Sequence, residues 1–177
     1  MRKFIIILGL VNVFISSFGQ KKDDILKEIY AYRKSIVSVA TYDKKASEIW
    51  SAIYIITTEE YNTISRESES KGYIEGKLET NTYKETCLIE IKGDAQPYRV
   101  SFLVNQETRT KYENGTYSGW VAYRSPTLNT YITRLQLRLY ELLNGTLELS
   151  TELQNKIDNY NSLQKKDKKK IIKGKDY

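Results

Sequence analysis

The chain of 177 residues has no histidine, one cysteine, one methionine and two prolines. Without histidine, the commonest general base, the commonest zinc ligand and every Ser-His-Asp or Cys-His arrangement are excluded together. The single Cys87 rules out thiolate metal clusters and any intramolecular bridge; a disulfide-linked dimer is the minor alternative to a thiol buried in a strand beside Leu88, Ile89 and Ile91. No glycine-rich phosphate loop opens a helix, since Gly72 and Gly76 fall in an extended ribbon. No motif calls for a metal or a cofactor. Beyond residue 15 there is no long apolar run, hence no expected transmembrane helix.

What is present begins with a basic head, Met1-Arg2-Lys3, an apolar run from Phe4 to Ile15, and the small residues of Ser16-Ser17-Phe18-Gly19. This pattern predicts a secretory signal peptide over 1–19, cleaved after Gly19, and an exported protein that is periplasmic or secreted. Twelve apolar residues reach only about 18 Å as a helix, short of a bilayer core of about 30 Å, which argues against a membrane anchor.

The formal charge of +6 is unevenly spread. Arg2 and Lys3 carry +2, and the tail 165–177 carries +5 through Lys165, Lys166, Lys168, Lys169, Lys170, Lys173 and Lys175 against two aspartates, which leaves 20–164 at −1. A basic tail on a nearly neutral body gives no basic folded surface, so nucleic acid is not an expected partner. The tail is too charged to bury anything but Ile171 and Ile172 and is expected to be disordered or frayed. Residues 20–164 then form one α+β domain.

Ile25, Leu26, Ile29 and Tyr30 predict a short N-terminal helix, and the β-branched run 35–40 predicts a first strand. Ala46, Ile49, Trp50, Ile53 and Ile56 lie at helical spacing with Asp43 placed to cap. After Glu60 the apolar period changes from 3.6 to 2, predicting a β-ribbon that turns near Lys71-Gly72. Strands are expected over 86–92 and from Pro97 to Asn105, followed by a hairpin within 109–123 whose Asn114-Gly115 forms a type I′ turn. Ser125-Pro126 predicts the start of a long helix that ends at Asn144-Gly145, and Ser150 caps a further C-terminal helix carrying Leu153, Ile157 and Tyr160.

This order of elements, with a signal ending in Ser-Phe-Gly-Gln, a helix around Glu48-Ile49-Trp50 and the ribbon Ser70-Lys71-Gly72-Tyr73-Ile74-Glu75-Gly76, resembles a Bacteroidota family of exported proteins of unknown function with a TATA-binding-protein-like fold. Over 34–143 the resemblance implies a curved antiparallel sheet with helices on one face, in the order β-α-β-β-β-β-α. It supplies no catalytic residues and gives no licence for DNA binding, since folds host unrelated functions.

Two carboxylate pairs, Glu67 with Glu69 and Glu75 with Glu79, have the residue types of a glycosidase, but they alternate with polar residues on what reads as a wet face. The fifteen tyrosines and two tryptophans offer stacking surfaces, most of them expected to be structural. In the hairpin, a type I′ register sets Tyr112 opposite Tyr117 and Arg109 opposite Trp120, making these four the candidate contact residues. The sequence therefore points to a non-catalytic binding or envelope-assembly module whose partner is an envelope protein, a glycan or an anionic lipid surface. Two alternatives stand beside it: a carboxylate-dependent enzyme acting on glycans, and a peripheral protein held at anionic lipid by its lysine tail.

Overall fold

The computed structural model describes residues 22–173, so the expected signal peptide lies outside the described residues. Helix α1 spans 22–37, α2 Ala46–Glu60, α3 Leu128–Asn144 and α4 Thr151–Lys173. Between α2 and α3, strands β1 (Thr63–Ser68), β2 (Tyr73–Glu79), β3 (Tyr83–Lys92), β4 (Arg99–Thr108) and β5 (Val121–Tyr123) form one antiparallel sheet in sequence order. The chain is therefore α+β.

Contacts divide the chain into two compact units, where the sequence pointed to a single domain over 20–164. The larger, 34–147, holds α2, α3 and the sheet. The smaller contains α4 and most of α1, linked by Lys156 Nζ to Glu28 Oε2 at 2.7 Å and by the Tyr32 hydroxyl to the Glu148 carbonyl at 3.4 Å. Ser150 caps α4 as expected, its Oγ accepting the Leu153 N–H at 3.3 Å. Helix α4 then runs on through Lys173, over residues that the sequence left without structure. Lysine is a good helix former, and Lys–Ile repeats carry no helix breaker before Gly174.

The expected strand over 35–40 is not formed. Residues 35–37 end α1, and Ser38 N–H closes its last turn on the Lys34 carbonyl at 3.0 Å. Ile36 continues the spacing of Ile25, Ile29 and Tyr32, and this period outweighs the β-preference of the local residues. All that remains of a strand is one bridge, Tyr42 to Tyr98.

In the larger unit, α2 buries Ile49, Ala52, Ile53, Ile56 and Thr57, while Ala46 is exposed and Trp50 half-buried. Lys45, not Asp43, is the residue preceding the first turn, and Glu48 accepts its backbone N–H at 2.9 Å. On the sheet the same core takes Ile74, Cys87, Ile89 and Val104, and α3 adds Leu135 and Leu139. Both helices thus lie on one face of the sheet, clasped further by Arg138–Glu59 at 2.9 Å and Arg134–Glu60 at 2.5 Å. Helix α3 begins after Thr127, two residues beyond the expected Ser125, and ends at Gly145, where φ of 84° suits glycine.

Gly76 has a different reason. A Cβ there would stand 2.5 Å from the ring of Tyr61 and 2.9 Å from Thr57 Cγ2, so only a glycine on β2 lets that ring lie against the strand.

Candidate functional site

The covered face of the sheet is apolar at its centre and polar toward one end. Along β3 the residues facing the helices are Ile91, Ile89, Cys87 and then Glu85; along β4 they are Val100, Phe102, Val104 and then Gln106. Glu85 is paired with Gln106 in register, and the two are only 6% and 8% exposed. A buried carboxylate must find donors, and here they come from three elements. Tyr61, just past α2, donates to Oε1 at 3.1 Å; Tyr83 on β3 and the Gln106 amide on β4 donate to Oε2 at 2.5 and 2.7 Å. Tyr131 on α3 donates to the Tyr61 hydroxyl at 2.9 Å, and the Ser125 N–H donates to Gln106 Oε1 at 2.9 Å.

Over this network opens a cleft of about 580 Å³, lined by Tyr83, Glu85, Gln106, Tyr123, Leu128 and Tyr131 together with threonines of the surrounding turns. Burial raises the pKa of the Tyr61, Tyr83 and Tyr131 hydroxyls, each well above the ordinary tyrosine value. They are donors at any physiological pH, not bases. Burial likewise pushes the Cys87 thiol up to about 12, so that it packs as a small hydrophobe and offers no thiolate. Among the described residues no three acidic, histidine or cysteine side chains gather to hold a metal ion.

The sequence-derived candidates lie nearby, between β4 and β5. Arg109 is stacked between two rings, its guanidinium 4.5 Å from the centre of Tyr117 and 4.4 Å from that of Trp120. Its Nε donates to the Asn81 carbonyl at 2.7 Å and its backbone N–H to that of Thr82 at 3.0 Å, which fixes the excursion to the β2–β3 turn. Tyr112 is 51% exposed. The register differs by one from that of a two-residue turn: Lys111, not Tyr112, bridges Tyr117, and the Tyr112 N–H meets the Thr116 carbonyl at 2.8 Å. Three residues, Glu113, Asn114 and Gly115, make the tip, and only Gly115 takes positive φ, at 83°. A turn closing from Gly115 N–H to the Tyr112 carbonyl at 2.9 Å followed by a left-handed glycine is the three-residue hairpin loop, so the type I′ expectation fails while Asn114 and Gly115 keep their place at the tip.

Glu67 and Glu69 are both exposed, and Glu75 and Glu79 do not converge. Glu75 is engaged by Ser65 at 2.6 Å and Arg66 at 2.9 Å, and Glu79 is ion-paired with Lys77. Four residues apart on a strand, Glu75 and Glu79 stand about 13 Å from each other along the backbone. Lys165 is exposed on α4, and the side chains of Lys166, Lys168, Lys169, Lys170 and Lys173, with all of Lys175, lie outside the described residues.

The buried network lies just outside the expected strands, which begin at Thr86 and stop at Asn105, one residue short of each partner. The available signal was phase: Glu85 continues the alternation of Cys87, Ile89 and Ile91, and Gln106 that of Phe102 and Val104. A polar residue in phase with a buried face has to be satisfied there.

Comparison with family models, with curated proteins and with solved structures finds no match.

Proposed function

We propose that the protein is an exported, non-catalytic binding module of the cell envelope whose contact surface is the excursion between β4 and β5. The observation that carries this reading is the stack of Arg109 between Tyr117 and Trp120, with Tyr112 held exposed beside it. Stacking and two hydrogen bonds fix the excursion before any partner arrives, and preordered aromatic area binds at low entropic cost. Buried hydroxyls and thiol with raised pKa supply no base or nucleophile, and this favours binding over hydrolysis. Over α2 to α3, where a helix, antiparallel strands and a long helix follow in turn, the likeness to a TATA-binding-protein-like repeat and to the exported Bacteroidota family belongs to the same proposal.

A second reading draws on α4, whose helix carries the lysine-rich segment: at an anionic surface each lysine contributes about 1 kcal/mol, and the segment then holds the module reversibly at acidic lipid. One experiment separates the two. The mature chain, a form truncated after Gln164, and the Tyr112→Ala, Tyr117→Ala and Trp120→Ala variants are tested for binding to anionic vesicles, to isolated envelope glycans and to envelope proteins trapped by cross-linking. A contact role for the excursion predicts at least tenfold weaker glycan or protein binding by Tyr112→Ala at an unchanged thermal midpoint. Full binding by all three variants overturns it, and salt-sensitive vesicle binding lost only on truncation assigns the contact to the tail instead.

A further inference from the structure

The cleft over Glu85 is separate from the aromatic excursion and has its own electrostatics. Glu85 accepts three hydrogen bonds, all from neutral donors, and among the described residues no lysine or arginine forms an ion pair with it. Arg134, which lies over the Tyr131 ring at 5.1 Å, is itself paired with Glu60. Tyr61, Tyr83 and the Gln106 amide each direct a donor at the carboxylate. These neutral partners bring no opposite charge to a carboxylate that lines the cleft. Among the described residues Oε1 accepts from Tyr61 alone, against two donors on Oε2. Tyrosines 83, 123 and 131 line the walls, and ring faces attract cations in the same sense as the carboxylate.

We propose that this cleft binds an organic cation, an alkylammonium group carried on a small molecule, with Glu85 as the counter-charge and the tyrosines as its walls. A neutral polyol gains hydrogen bonds from the same hydroxyls and threonines but leaves the charge unanswered, so charge complementarity selects the ammonium. The cleft volume of about 580 Å³ is that of a small-molecule site.

The test uses the full mature chain with labelled tyrosine rings and three probes: n-butylammonium, its neutral counterpart n-butanol, and glucose. Butylammonium is expected to shift the Tyr83 and Tyr123 ring signals saturably, with n-butanol and glucose at least tenfold weaker. Glu85→Gln keeps the shape and removes the charge, and is expected to weaken butylammonium at least tenfold. Tyr123→Ala, at the exposed rim of the cleft, is expected to weaken it about threefold. Equal binding of butylammonium and n-butanol by the native protein overturns the proposal regardless of how the variants fold. So does undiminished binding by a folded Glu85→Gln protein, or a preference for glucose.

Discussion

The centre and one end of the covered sheet face are held by opposite means. At the centre, Ile53, Ile56, Ile74, Ile89 and Leu135 exclude water and each other's neighbours by packing alone. A few residues along the same strands, Glu85 and Gln106 are also buried but rely on a chain of donors from Tyr61 just past α2, from β3, β4 and α3. Apolar burial is worth about 25 cal/mol per Å² and is insensitive to direction, whereas a hydrogen-bonded network has a net worth near 1 kcal/mol per bond and depends on every angle. Stability is therefore expected to sit in the isoleucines, and specificity in the network.

The largest effect tests the apolar centre. Ile53→Ala, at a position with no exposure, is expected to cost about 2–5 kcal/mol in urea unfolding, by lost transfer energy and the cavity left behind. A loss no greater than that of Tyr131→Phe would break the contrast between the centre and the polar end.

Gly76 joins the two regions, because the space its missing Cβ leaves is where Tyr61 lies on its way to Glu85. Gly76→Ala forces that ring aside and is expected to cost about 1–3 kcal/mol by overpacking. Combining it with Tyr61→Ala should cost less than the two changes added, since the second removes the atoms that the first strikes. Strict additivity in a double-mutant cycle would show that the clash is relieved elsewhere.

Tyr131→Phe removes one hydroxyl from the relay and leaves Tyr61 bonded to Glu85. The expected cost is about 0.5–1.5 kcal/mol, read from the same unfolding curves. A cost near that of Ile53→Ala would mean that the network behaves as one cooperative unit rather than as separate bonds.

The contrast also explains what the sequence made legible. Periodicity of apolar residues located α2, the ribbon with its turn at Gly72, the end of α3 at Gly145 and the Ser150 cap, because each is set within a few residues. Residues 35–37 misled in the other direction: Ile36 and Val37 favour strand locally, and the helical spacing that overrides them extends back to Ile25. In the excursion, Asn114-Gly115 marked a turn correctly but not its length, since a single left-handed glycine serves a three-residue loop as well as asparagine-glycine serves a two-residue one. Phase places Glu85 on the buried face, but its distant partners were illegible. Its partners lie 24 residues back at Tyr61, 21 ahead at Gln106 and, through Tyr61, farther on at Tyr131, and no local pattern announces a meeting of four elements.

The smallest effect lies on the opposite face of the sheet, where Glu75 makes its bonds near solvent. Burial works to raise the pKa of Glu75, but hydrogen bonds from Ser65 and Arg66 and the charge of Arg66 outweigh it, so the carboxyl sits below its ordinary value near 4.5. A depressed carboxylate contributes stability that is complete above the unfolded value and is lost as pH falls through the folded one. Glu75→Gln is therefore expected to cost more at pH 6 than at pH 3, because the native carboxyl loses its charge as pH falls through its lowered value. With Arg66 well exposed, the cost at pH 6 is about 0.2–1 kcal/mol, far below that of Ile53→Ala. Salt narrows it further, because the Debye length falls from about 10 Å at 0.1 M to about 3 Å at 1 M. Denaturation of both proteins at the two pH values and two salt concentrations separates charge from shape. A penalty that is the same under all four conditions would mean that Glu75 acts through the Ser65 hydrogen bond and the bulged register of β1 around it rather than through its charge.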